Sequence, residues 1–447
     1  MSVAIADQAA RDAALDPRRS FIVQAPAGSG KTELLVRRYL KLLSVVEKPE
    51  EIVAITFTIK AAAEMRKRVL SEVSAEMSHR LRIQTIDAFC ASLTRQMPVV
   101  SGFGAQPGIV EDAEEHYREA AQRVIAQLSA PACTLLLHLD NNVDVAAGMI
   151  AAMLAKRDQW LRKTGLAPSR EELERALRSE RERLLARARE HHPNASIQFA
   201  AAALTQNYTW RQRGNPVPLA QQTEPLREAL ESLLRMPEER YTDDQWQVLG
   251  AILELLPLAA AHLKLVFAER GETDFTEVAQ GAVRALGTPD APTDLLLALD
   301  TRIKHILVDE FQDTSYSQFE LLEKLTSGWE KGDGRTLFLV GDPKQSIYRF
   351  REAKVALFLQ AWERGIGNIG VVPAKAGTPL QLERLTLTTN FRSQAGLVDW
   401  FNASFPHILP READPAAGAV PYSPATPHHE PLPGSAVTWH HTSSRKS

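Results

Sequence analysis

At 447 residues the chain can bury several hydrophobic cores and should form more than one domain. Hydrophobic residues at 44% and charged residues at 24% exclude a disordered or collagen-like chain. Lys and Arg total 52 against 55 Asp and Glu, so a net charge of -3 gives no global attraction to nucleic acid, and any nucleic-acid groove must be local.

Residues 1–19 carry Asp7, Arg11, Asp12, Asp16, Arg18 and Arg19 and leave no apolar core of signal-peptide length. Residues 21–26 (FIVQAP) form a short apolar run that ends in a glycine-bearing turn, and residues 33–43 repeat apolar positions at helical spacing, which predicts strand, loop and helix. A second strand at residues 52–58 leads into the helical KAAAEMRKRVLSEV, and this alternation predicts a parallel sheet. From about residue 96 to 269 strand signals vanish and charged helical patterns take over, predicting an inserted all-α subdomain. Within it, residues 249–267 are apolar but interrupted by Glu254, Pro257, His262 and Lys264, a buried helix rather than a membrane span. Strands return at 303–308 and 336–340, so the α/β domain is expected to comprise residues 1–95 and 270–358. Residues 359–447 read as a Gly- and Pro-rich linker, a strand-like LTLTTN, the start of another domain and a loose Pro- and His-rich tail. Cys90 and Cys133 are too few for a disulfide framework or a zinc site, in keeping with a cytoplasmic protein.

The chemistry concentrates in two places. Ala25, Pro26, Ala27, Gly28, Ser29, Gly30, Lys31 and Thr32 follow G-x-x-x-x-G-K-[ST] except for Ala25 in first position. In such a loop backbone N–H groups and a helix N-terminus face phosphate, Lys31 supplies charge to the outer phosphates, and Thr32 offers a hydroxyl to Mg²⁺. The expected second half is an acidic pair at a strand end, residues 306–310 reading ILVDE. There Asp309 would hold Mg²⁺ through water, and Glu310 would orient and deprotonate the attacking water.

VDEFQDT at 308–314 followed by VGDPKQSIYRFR at 340–351 resembles the superfamily 1 DNA helicases of the UvrD, Rep and PcrA group. Gln8, TFTIKAAAEM at 56–65, QTIDAFC at 84–90 and TTNFRS at 388–393 continue the resemblance in order, and Asp87 with KRDQW at 156–160 looks closer to the RecB/AddA branch. The resemblance implies a RecA-like ATP-binding domain with an incomplete second RecA-like domain, and an ATP- and Mg²⁺-dependent 3′ to 5′ motor on single-stranded DNA and duplex junctions. A second repair or recombination subunit is an expected partner, and a membrane is not. It further implies that Gln8 reads the adenine edge, Arg38 lies near the base, Phe391 stacks on it, and Gln345 and Arg392 contact the γ-phosphate. Phe57, Thr58, Thr85, Tyr348, Phe350 and Arg351 match DNA-contacting positions, and aromatic stacking suits a sequence-tolerant tracker. Phe57 and Phe350 also have a plain reading as core aromatics. The later family segments, including the one that carries an arginine finger, have no counterpart among these residues. The polypeptide is therefore expected to bind Mg-ATP but to hydrolyse it slowly when alone.

Overall fold

The computed structural model describes residues 5–161, 168–288, 290–346, 354–371, 380–410 and 420–438. The chain falls into two compact units, Met1–Asp112 with Arg270–Ser447, and Ala113–Glu269.

In the first unit seven strands form one sheet: β1 (Ser20–Gln24), β2 (Ile52–Thr56), β3 (Arg82–Thr85), β4 (His305–Val308), β5 (Thr336–Gly341), β6 (Ile369–Val371) and β7 (Leu380–Thr386). Their order is β6-β7-β1-β5-β4-β2-β3, and every neighbouring pair is parallel. Side chains alternate between faces along a strand, and a parallel sheet must bury both. Phe21, Val23, Ile52, Ala54, Leu307, Phe338 and Val340 accordingly pack on one face with residues of α2 (Lys31–Leu43) and α3 (Ile59–Leu70), beside α1 (Gln8–Ala14). Ile22, Val53, Ile55, Ile306, Val308, Leu337 and Leu339 pack on the other, against α4 (Ile86–Gln96), α5 (Phe275–Ala285), α6 (Asp294–Arg302), α7 (Tyr316–Leu325) and α8 (Val355–Arg364). Each fully buried aliphatic side chain contributes about 1.5–3 kcal/mol relative to exposure. This mixed α/β architecture around a parallel sheet is that of a RecA-like domain.

Two features of the C-terminal segment differ from the sequence expectation. The sheet does not end near residue 358: β6 and β7 extend it, with β7 paired to β1 from Ser20↔Leu382 to Gln24↔Thr386. Residues 420–438 also pack: Thr426–His429 (β9) pairs in parallel with β8 (Thr389–Gln394), and Asn402 at the end of α9 (Ala395–Ser404) donates to the Ala425 carbonyl at 2.8 Å. Main-chain pairing of this kind needs no apolar periodicity, which is why residue patterning did not reveal it. The segment VVPAKAGTPL lies largely outside the described residues, as does the terminal HHTSSRKS.

The second unit is built from helices. Arg170–His191 starts in a capping box between Ser169 and Glu172, and packs Leu184 and Ala188 with Leu226, Ala229, Leu230 and Leu233 of Glu224–Arg235. Its outer faces carry ion pairs one turn apart, such as Arg170 to Glu174 at 3.0 Å and Arg227 to Glu231 at 2.7 Å. Helix Asp243–Arg270 is long and apolar enough to cross a membrane by length and composition, despite its interruptions. Burial of Leu255, Ala259, Leu263, Val266 and Phe267 fits a core helix of this unit.

Candidate nucleotide site

Strand β1 delivers the chain into the glycine loop, where the Ala25 N–H donates to the Gly341 carbonyl at 2.9 Å. Gly28 and Gly30 take φ of 81° and 76°, the left-handed region that favours glycine, and Gly30 caps α2. The α2 N-terminus thus opens on the loop with Lys31 and the half-buried Thr32 in its first turn.

The acids come from the end of β4. Lys31 Nζ meets Glu310 Oε2 at 2.6 Å, joining residues 279 apart in sequence. Glu310 holds φ of 51°, a left-handed backbone that is costly for a non-glycine residue and turns its side chain out of the strand path. Asp309 is buried, and burial pushes its carboxyl up to about 6, with the Glu310 charge adding and Lys31 opposing. Burial likewise lifts Asp313 to about 6.

Gln312, which residue chemistry alone did not single out, ties these groups together. Its Nε2 donates to Glu310 Oε2 at 2.7 Å, and its Oε1 accepts from the Asp342 N–H at 3.0 Å. Gln345 Nε2 donates in turn to Asp342 Oδ2 at 2.5 Å. Gly341 leaves room for this bridge, because a Cβ there would lie 2.4 Å from Gln312 Oε1.

The other wall of the loop is β8. The Phe391 N–H donates to the Gly28 carbonyl at 2.8 Å, and Asn390 Oδ1 accepts from the N–H groups of Arg392 and Ser393 at 2.9 Å each. A Cβ on Gly28 would lie 2.8 Å from Asn390 Oδ1 and 2.9 Å from Arg392 Cβ, so close approach as well as backbone angle demands glycine. The Arg11 guanidinium lies 5.0 Å from the Phe391 ring centroid, and the His428 ring lies 4.8 Å from it.

Asp7 anchors this wall. It accepts from Arg11 Nε at 2.8 Å, the Thr388 and Thr389 N–H groups at 2.7 and 3.0 Å, and Thr389 Oγ1 at 2.8 Å. Burial alone would raise its carboxyl, but Arg11 and the threonine donors outweigh it and bring it down to about 2. Because the folded value is lowered, its stabilisation is present above the unfolded value near 3.8 and is lost as pH falls through about 2. At neutral pH this amounts to about 2 kcal/mol. Asp7→Asn should therefore lower stability at pH 7 by that order and leave a flatter acid-unfolding profile, as read by urea titrations across the acid range.

The remaining expected site residues make local contacts. Gln8 Nε2 donates to Asp12 Oδ1 at 2.7 Å along α1. Arg38 is fully buried and donates to the carbonyls of Ala14 and Asp16 at 2.6 Å and of Arg19 at 2.7 Å. Burial lowers its pKa to about 10, still far above neutrality, so it is a charged peg that fixes the chain between α1 and β1. Thr58 and Thr85 cap α3 and α4, each accepting at 3.1 Å from Ala61 and Ala88 respectively, and Phe57 is buried at the end of β2. Tyr348, Phe350 and Arg351 lie outside the described residues.

A parallel sheet whose first strand feeds a glycine loop and a helix N-terminus, with a lysine of that helix paired to an acid from another strand end, defines a P-loop α/β protein. The family model "UvrD/REP helicase N-terminal domain" matches residues 6–364, and the chain belongs to this family. It is 27% identical to an ATP-dependent helicase/nuclease subunit from Pelotomaculum thermopropionicum over 90% of this chain and 38% of that protein. It is 28% identical to the protein so named in Exiguobacterium sibiricum over 95% of this chain and 41% of the relative. For the one in Desulforudis audaxviator the figures are 26%, 91% and 40%. The chain therefore spans about two fifths of the length of these curated relatives.

Proposed function

We propose that the chain is the ATP-binding part of a 3′ to 5′ DNA helicase or translocase that acts on single-stranded DNA and duplex junctions in repair or recombination. The observation that carries this reading is the Lys31 to Glu310 contact at 2.6 Å, which brings the phosphate loop and the acidic strand end into one site. In this reading residues 25–32 cradle the phosphates, Phe391 stacks on the base, and Gln345 and Arg392 respond to the γ-phosphate. Glu310 takes the proton of the attacking water, and Gln312 keeps its carboxylate oriented.

A hydroxyl at Thr32 and the Asp309 carboxylate, whose pKa is raised by burial, make a donor set that fits Mg²⁺, which takes few protein ligands and keeps water and phosphate oxygens. Bound there, Mg²⁺ would neutralise developing phosphate charge. Thr58, Thr85, Tyr348, Phe350 and Arg351 are assigned to the DNA path, with Phe57 supporting it from the core. A cytoplasmic location, residues 96–269 as an accessory helical domain and association with a second repair subunit complete the reading; the last is supported by the names of the relatives, which describe a helicase/nuclease subunit.

The test is ATP hydrolysis by the purified chain with and without oligo(dT). Turnover stimulated by DNA, with the stimulation lost in Tyr348→Ala, is the expected signature of a motor. Mg-ATP and DNA binding without turnover would instead assign this polypeptide the role of a binding module that needs another chain for catalysis. Failure to bind either ligand would overturn the reading.

A further inference from the structure

Asp7 and Arg11 form a polar junction beside the phosphate loop, yet neither belongs to the loop or to the acidic strand end. Their side chains are 4% and 8% exposed, and they join three stretches of sequence that are far apart. Asp7 accepts from both Thr388 and Thr389. Arg11 places Nε and Nη2 on the two Asp7 oxygens at 2.8 and 3.0 Å, and its Nη2 also reaches the Ser29 carbonyl at 2.7 Å. The same guanidinium lies 5.0 Å from the Phe391 ring centroid, while the Phe391 N–H is bound to Gly28.

Each contact answers to a physical need. A bidentate carboxylate fixes the plane of the guanidinium, and a plane so fixed braces the aromatic ring beside it. The Ser29 carbonyl gains a charged donor from Arg11, which ties the loop to α1. One planar cation thus sets both the ring and the loop. Lysine, a point charge without a fork or a face, cannot reproduce this.

We propose that Asp7 and Arg11 are positioning residues that lock Phe391 to the phosphate loop, so that base stacking and phosphate binding occur as one event. This rests on the reading of the site as an ATP site with Phe391 as the base platform. The pair touches neither base nor phosphate itself. Its effect is carried through the ring and the Ser29 carbonyl, and it makes the site favour a complete nucleoside triphosphate over a bare phosphate chain.

The experiment compares equilibrium binding of Mg-ATP and of Mg-tripolyphosphate, which has no base, to the full chain. The variants are Arg11→Lys, Thr389→Val, Phe391→Ala and the Arg11→Lys/Phe391→Ala pair, with circular dichroism and thermal melts confirming the fold. Arg11→Lys should weaken ATP by about 5- to 30-fold and tripolyphosphate by less than about 3-fold. Thr389→Val, which removes one Asp7 bond and keeps the cation, should show the same pattern at smaller size and carries the test should the lysine variant unfold. The double variant should bind ATP no more than about 3-fold more weakly than Phe391→Ala alone, the share carried by the Ser29 carbonyl, because the rest of the arginine's effect works through the ring. Additive losses, equal losses for the two ligands, or unchanged ATP binding would overturn the proposal while leaving the ATP site intact. Failure of the wild-type chain to bind either ligand would overturn the ATP-site reading and the proposal with it.

Discussion

Glu310→Gln is expected to slow single-turnover ATP hydrolysis by about 10²- to 10⁴-fold, the range over which a positioned general base contributes. The substitution keeps size and one acceptor oxygen but removes the property the reaction needs from this position, a carboxylate able to accept a proton. Binding should not suffer. Lys31 is now held by Glu310 at 2.6 Å, so the acid competes with phosphate for the same ammonium, and the neutral amide would release it. Mg-ATP affinity should stay level or rise while the chemical step falls. Rapid-quench measurement with protein in excess over ATP isolates that step from product release. A variant that hydrolyses at the wild-type rate would remove Glu310 from the role of base and shift attention to Asp313, which burial also lifts to about 6.

What the sequence disclosed, and what it concealed, follows from the range over which each requirement acts. The phosphate loop was legible because its demands are local: glycines where φ is positive, a lysine and a threonine at the first helical turn. Strands β1, β2, β4 and β5 were legible because their apolar runs must serve two buried faces, whereas β3 is largely polar and β6 too short to carry such a run. Arg38 shows the opposite case. Its place in the motif put it near the base, but its surroundings are three backbone carbonyls between α1 and β1, and burial by neighbours distant in sequence decided its role. Asp7 and Thr389, 382 residues apart, carried no mutual signal at all. Gln312 lay inside a recognised motif, but its bridge from Glu310 to Asp342 depends on the gap left by Gly341, a feature of the folded sheet. The pairing of β8 with β9 joined backbone to backbone, and side-chain periodicity has nothing to say about it.

Lys31→Ala carries the other large expected effect, on binding rather than on chemistry. Removing one member of a charge pair at a partly desolvated site costs about 2–5 kcal/mol, so Mg-ATP affinity should fall by about 30-fold or more. Calorimetric titration at fixed ionic strength is the measurement, because phosphate affinity is screened by salt. Two further consequences separate a phosphate-binding lysine from a purely structural one. Lys31 opposes the mutual repulsion of Asp309 and Glu310, and its loss should make the metal-free protein less stable at neutral pH than at mildly acidic pH, where Asp309 takes up its proton. The sign is fixed by the raised Asp309 value: its ionised form is the unfavourable one in the fold, and the penalty grows as pH rises towards about 6. Lys31→Arg keeps the charge opposite the acids but moves it on a longer, planar head. It should restore that stability without restoring affinity for ATP. If the arginine variant instead binds ATP as the wild type does, the loop demands charge alone, and the geometry that sets Lys31 at the first turn of α2 is not what selects the nucleotide.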